Sequence, residues 1–206
     1  IKAWFLCKVA AKEFGLGSMD GFQFNISVGY DLAGIKSEKI DNFLNTMKHA
    51  GDSEVFKSCR AYLLEHADLF AHVTKEDIES ISGDICNSVT ISTLHGCPPQ
   101  EIERIAMYLI TEKGFHTFIK CNPTLLGYEF ARKTMDDMGY DYVAFGDFHF
   151  KDDLQWEDAV PMLNRLMKVC QERNLEFGVK ITNTFPVDVK QNELPSEEMY
   201  MSGKSL

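Results

Sequence analysis

SVTISTLHGCPPQEIERIAMYLITEKGFHTFIKCNPTLLGY, residues 88–128, carries the pattern that decides the fold. Two short runs, SVTIST (88–93) and HTFIKCNP (116–123), are apolar, β-branched and bounded by turn residues, as strands are. Between them Ile102, Ile105, Ala106, Leu109 and Ile110 recur at helical spacing, and Pro98–Pro99 suits the opening turn of that helix. A strand, a crossover helix and a second strand make a parallel pair, because only a crossover of this length returns the chain in the same direction.

Working outward, FQFNISVGY (22–30), DYVAFGDF (141–148) and EFGVKITN (176–183) also read as strands, and Val160, Leu163, Leu166, Met167 and Cys170 trace a second helix face. From Ser88 onward the order is β-α-β-α-β-α-β. Residues 36–87 hold more helical material than a crossover needs, including EVFKSCRAYLLEHADLFAHV (54–73), and read as an inserted helical hairpin. IKAWFLCKVAAKEF (1–14) opens directly in a helix with Leu6, Val9, Ala10 and Phe14 on one face and no N-cap before it; Gly15-Leu16-Gly17 is its C-terminal stop.

Barrels and doubly wound sheets share this alternation. No G-x-G-x-x-G follows a strand, as a dinucleotide-binding sheet would require. Polar residues crowd instead onto the C-terminal strand ends: Ser92 and His95, Lys120 and Asn122, Asp147 and His149, Lys180, Asn183 and Thr184. Barrel enzymes place their chemistry on that rim. The expected fold is therefore α/β: a partial (β/α)8 TIM barrel with about five of eight strands, a single domain over residues 1–206, with a helical insertion at about 36–87.

A net charge of −10 opposes nucleic acid and anionic membrane surfaces, since both repel excess carboxylates. A small-molecule substrate is the expected partner. No run of about 18 apolar residues suggests a span, and six cysteines without a C-x-x-C pair fit reduced thiols in the cytoplasm. No metal or iron–sulfur cluster site is expected in this chain.

In STLHGCPPQEIE, Cys97 lies near a helix N-terminus, where a thiolate is favoured, so it can serve as base or nucleophile with His95 orienting substrate or exchanging a proton; a tight turn with a packed thiol is the structural alternative. Lys120, inside an apolar strand, needs a partner, either a ligand's ring or phosphate or an internal carboxylate such as Asp147. Asn122 shares its face, whereas Cys121 points the other way into the core. In VKITNTFPV, Asn183 and Thr184 end a strand and suit a heterocycle's carbonyls and ring nitrogens, or ordinary turn chemistry before Pro186. GDFHFKDD reads as a solvated loop with an N-cap aspartate before the Trp156 helix, and NELPSEEMYMSG as an exposed loop or lid.

Three motifs in order, HGCPP, IKCNPTLLGY and KITNTFPV followed by MYMSGKSL, make the chain resemble the barrel region of bacterial multidomain flavin and iron–sulfur oxidoreductases labelled selenate reductase subunits. More distantly it resembles the flavin barrels of dihydroorotate and dihydropyrimidine dehydrogenases. The resemblance implies FMN in the intact protein, with Lys120, Asn122, Asn183 and Thr184 toward the flavin, Ser202 and Gly203 matching a serine–glycine pair, and Cys97 as the catalytic cysteine beside His95. Where the wider group has asparagine and serine before that cysteine, this chain has Leu94 and Gly96. Iron–sulfur clusters and FAD or NAD(P) are implied only in domains or subunits outside this chain. The resemblance also implies that two strands precede residue 1 and that phosphate-gripping loops follow Leu206, so weak or no flavin binding is expected of these 206 residues alone.

Two other functions fit the residues. A flavin-free barrel lyase or aldolase would use Lys120 or Lys180 as a Schiff base. A non-catalytic docking barrel would leave the chemistry to its partners.

Overall fold

The computed structural model describes residues 1–92, 97–190, 192, 194–195 and 197–201. The chain divides into two compact units, residues 1–26 with 34–88 and residues 27–33 with 89–206.

The first unit is built on α1 (Lys2–Glu13), α3 (Glu38–Lys48), α4 (Glu54–Glu65) and α5 (Lys75–Ser80); the short α2 (Leu32–Ile35) ends within it. Its core gathers Trp4, Phe5, Val9, Phe56, Ile78, Ile81 and Ile85. The buried face of α1 thus differs from the expected one: Trp4, Phe5, Lys8 and Val9 turn inward, and Leu6 is 69% exposed. The largest apolar surfaces decide the rotation, and Lys8 is carried in with them. Its ammonium lies 3.9 Å from the Trp4 ring centre and donates to the Phe22 carbonyl at 3.0 Å, which compensates its burial. Gly15, at φ 63°, ends α1 as expected, letting the Leu16 N–H reach back to the Ala11 carbonyl at 2.8 Å.

The run 54–73 is helical only to Glu65, and a 3₁₀ turn follows at Ala67–Leu69. Beyond it Glu13 captures the chain, accepting from the Ala71, His72 and Val73 amides at 2.8, 2.9 and 3.2 Å. These amide bonds hold the Glu13 carboxyl below its ordinary range. A depressed carboxyl stabilises the fold above its unfolded pKa, and that contribution disappears as pH falls through the folded value. The protection factors of the amides at residues 71–73, that is exchange relative to the intrinsic rate at each pH, are therefore expected to fall in Glu13→Ala, and in the parent protein once pH drops below the usual glutamate range. Unchanged protection in the variant would contradict this anchor.

The second unit holds the ends of β1 (Phe24–Val28) and β2 (Cys86–Ile91) together with β3 (His116–Cys121) and β4 (Phe177–Ile181), in the sheet order β1-β2-β3-β4. Consecutive strands are neighbours and the order never reverses. That is barrel winding, whereas a doubly wound sheet has a switch point. The parallel sheet with its helices bears out the α/β expectation. α6 (Pro99–Thr111) buries the face read from the sequence. On β3, Thr117, Ile119 and Cys121 are buried while His116, Phe118 and Lys120 are half-buried on the other face.

Four readings are corrected. DYVAFGDF forms no strand: Arg132 takes the Val143 and Tyr140 carbonyls at 2.6 and 3.0 Å, and Phe145 enters an aromatic cluster with Tyr128, Phe150 and Phe185. β3 pairs directly with β4, with α7 (Tyr128–Asp137), α8 (Phe148–Asp152) and α9 (Trp156–Glu172) between them. The buried face of α9 is Ala159, Met162, Leu166 and Cys170, rotated from the expected stripe. The acidic segment contributes β6 (Glu198–Met201), antiparallel to β5 (Phe185–Asp188), rather than only a loop.

In the β3–β4 register Phe118 faces Gly178, and a Cβ at Gly178 would meet the Phe118 ring at 2.8 Å. Two rungs on, Lys120 faces Lys180.

Candidate active site

The C-terminal ends of β3 and β4 are tied together by their polar residues. After Cys121 the chain passes through Asn122 into a 3₁₀ turn, Pro123–Leu126, because proline opens that turn and cannot extend a ladder. After Ile181, the Thr182 hydroxyl donates to the Cys121 carbonyl at 3.2 Å and the Asn183 amide donates to the Asn122 side-chain oxygen at 3.0 Å. The Thr184 hydroxyl reaches the Asn183 oxygen at 3.5 Å. Lys120, Asn122, Asn183 and Thr184 are thus brought to one end of the sheet.

Asp153 braces Asn122 and the turn that follows it. It is only 5% exposed, and its Oδ2 accepts from the Thr124 hydroxyl at 2.7 Å and the Asn122 amide at 3.3 Å. The expected N-cap aspartate is therefore a buried brace, and Gln155 takes the N-cap position of α9. Sequence reasoning missed it because nothing separates Asp153 from Asp152 until Thr124 is known to lie beside it.

Lys120 has no bond to Asp147, which pairs instead with Lys151 at 2.6 Å. Burial first, and then the neighbouring Lys180 charge, lowers the Lys120 ammonium below the ordinary lysine range. Cys97 is half-buried, two residues ahead of the first residue of α6, with its Sγ 3.9 Å from the Pro98 carbonyl. It follows β2, the strand next to β3. His95, Ser202 and Gly203 lie outside the described residues. All six cysteines are thiols, and burial pushes Cys86, Cys121 and Cys170 up, away from thiolate chemistry.

Beside the joined strand ends lies a cavity of about 380 Å³, lined among others by Leu125, Phe130, Trp156, Ile181 and Phe185 and by the polar Asn122 and Thr182. Apolar walls with a few convergent polar groups are the usual form of a small-molecule site. Among the described residues no three His, Cys, Asp or Glu side chains gather as metal ligands, and no helix is long and apolar enough to cross a membrane.

The family model described as "Oxidoreductase YgfK, N-terminal TIM-barrel domain" matches residues 1–206. Two relatives, each named "Putative oxidoreductase YgfK", come from Escherichia coli (strain K12) and Escherichia coli O157:H7. Each is 41% identical to this chain over 218 residues, an alignment that covers 100% of the chain and 21% of the relative. The chain thus spans about a fifth of the length of the curated relatives it matches, their covered share being 21%. No solved structure matches it.

Proposed function

The chain belongs to the family of oxidoreductase YgfK N-terminal TIM-barrel domains, and from that premise we propose that it is the flavin-binding barrel of a multidomain flavin and iron–sulfur oxidoreductase. Within this reading it is of the dihydroorotate and dihydropyrimidine dehydrogenase type and acts on a small heterocyclic or carbonyl-bearing substrate. Selenate reductase is kept as a label of the resembling proteins and defines no substrate here.

One observation carries the reading: Asn122 and Asn183 are joined at 3.0 Å at the end of the strand pair that bears Lys120. This donor set fits an isoalloxazine ring. Lys120 offers three N–H donors, and Asn183 keeps a second amide N–H beyond the one given to Asn122. Ring carbonyls and nitrogens are acceptors of that kind. Bound FMN would supply the hydride-transferring ring. The protein's part is to orient the ring through Lys120, Asn122, Asn183 and Thr184 and to hold a proton for the substrate at the Cys97 thiol, with His95 beside it in sequence. Ser202 and Gly203 are assigned to the same cofactor by resemblance. Electrons would arrive from iron–sulfur and FAD- or NAD(P)-binding domains or subunits outside this chain, in the cytoplasm.

The test is the absorbance of the intact protein near 450 nm together with extracted FMN. Flavin should be present, and Lys120→Met should weaken its retention by about tenfold or more, the value of a charge-assisted hydrogen bond. Cys97→Ala should keep the flavin and slow turnover by about 10²-fold, as loss of a general acid–base does. An intact protein without flavin would sink this assignment. Unchanged turnover in Cys97→Ala would instead make the barrel a docking element.

A further inference from the structure

We propose that Lys120 and Lys180 together form an oxyanion site for the carboxylate or phosphate group of a small-molecule ligand, with Lys120, which the proposed function also directs toward the flavin, giving one of its three N–H donors to the anion. The two residues are register partners on adjacent parallel strands. Such strands run about 4.8 Å apart, and directly paired side chains stand on the same face. Thr117, Ile119 and Cys121 fill the core, so Lys120 stands on the opposite face of β3. Two rungs back the β4 position is Gly178, whose space the Phe118 ring occupies, so no polar side chain of β4 approaches from that side.

Lys120 is half-buried and Lys180 is exposed, so a ligand from solvent can reach the pair. Acidic residues number 31 against 21 basic ones, so each ammonium has carboxylates to spare as partners. Among the described residues neither lysine has one. Acids on neighbouring elements are engaged elsewhere: Glu103 with Arg165 at 2.7 Å, Asp147 with Lys151 at 2.6 Å, Asp188 with Lys190 at 3.1 Å and Asp153 with Thr124 at 2.7 Å. Two like charges side by side disfavour each other, and the lowered affinity of Lys120 for its proton reflects both burial and Lys180. An oxyanion between them reverses that penalty. It accepts from both ammonium groups, each with three donors, whereas a neutral carbonyl could accept but not offset the charge and a metal cation would be repelled.

The experiment is calorimetric titration of the intact protein with malonate and with inorganic phosphate, reading the 450 nm absorbance of the same samples. Malonate stronger than phosphate assigns a carboxylate ligand, and the reverse assigns a phosphate; either supports the site. Lys180→Gln is expected to weaken the better anion by about 10- to 100-fold at unchanged flavin content, while Lys180→Arg retains binding. If Lys180→Gln does not fold, protection of the exposed Lys180 from an amine-reactive label by malonate in the parent protein gives the same reading. Failure of both anions to bind, or parental affinity in a folded Lys180→Gln, overturns the site. A flavin-free protein that still binds malonate would count against the flavin assignment alone.

Discussion

Asp153→Ala is expected to destabilise the second unit by about 2–5 kcal/mol and, on the proposed flavin assignment, to deplete the intact protein of flavin. The size follows from what the substitution abandons. The Thr124 hydroxyl is 0% exposed and the Asn122 amide is half-buried, and both donate to the same Asp153 oxygen. An interior donor without an acceptor costs about 1–3 kcal/mol, and alanine leaves two of them. Water can reach Asn122 more easily than Thr124, so the hydroxyl carries the larger share. The proposed flavin contacts would loosen with it, because Asn122 is itself the acceptor for Asn183. At roughly 2–4 °C per kcal/mol for a domain of this size, the melting temperature falls by about 4–20 °C. Asp153→Asn keeps one acceptor and should recover part of both losses. Thermal unfolding and FMN extraction on the two variants check this, and an Asp153→Ala melting curve that superposes on the parent's would refute it.

Trp4→Ala is expected to cost the first unit about 3–5 kcal/mol, the usual range for removing a buried tryptophan. Trp4 is 1% exposed and meets Phe22 and Phe24 edge-on at 5.6 and 5.4 Å between ring centres. Its indole N–H donates to the Ser82 carbonyl at 2.9 Å. Its face also receives the Lys8 ammonium, so alanine exposes a buried cation to an empty space. Denaturant unfolding should show the loss as a lowered midpoint. Trp4→Phe, which keeps an aromatic face for Lys8, should lose less.

How far the residues alone revealed this protein depended on whether a segment's partners were local. α6 was legible because its apolar face and opening prolines act within one helix, and β2 and β3 because their β-branched runs have turn residues at both ends. Cys121 was placed correctly by strand alternation. DYVAFGDF was misread because its apolar residues satisfy an aromatic cluster and its carbonyls satisfy Arg132, and neither partner is visible at that spacing. In α1 the side-chain sizes of Trp4 and Phe5 outweighed the periodicity that favoured Leu6 and Phe14. β6 was hidden because its pairing partner, Phe185–Asp188, is itself unremarkable until the two strands meet. At the rim the candidate residues were recognisable one by one, and Asn122 with Asn183 did come together. Their common support, Asp153, was invisible because burial gives a carboxyl its role and the local sequence reads as solvent.

The glycine opposite Phe118 has a further consequence for evolution and design. A ring lying across a neighbouring strand tolerates only a position without a Cβ, so β4 fits β3 like a key cut with a single notch. Sliding β4 by two residues would set Phe118 against Lys180 or Glu176, and sliding it by one would turn every β4 side chain to the other surface. The level at which two positive side chains meet is therefore set by steric fit and not by charge. A lineage could exchange either lysine and keep its architecture, but filling the notch would shift the whole rim.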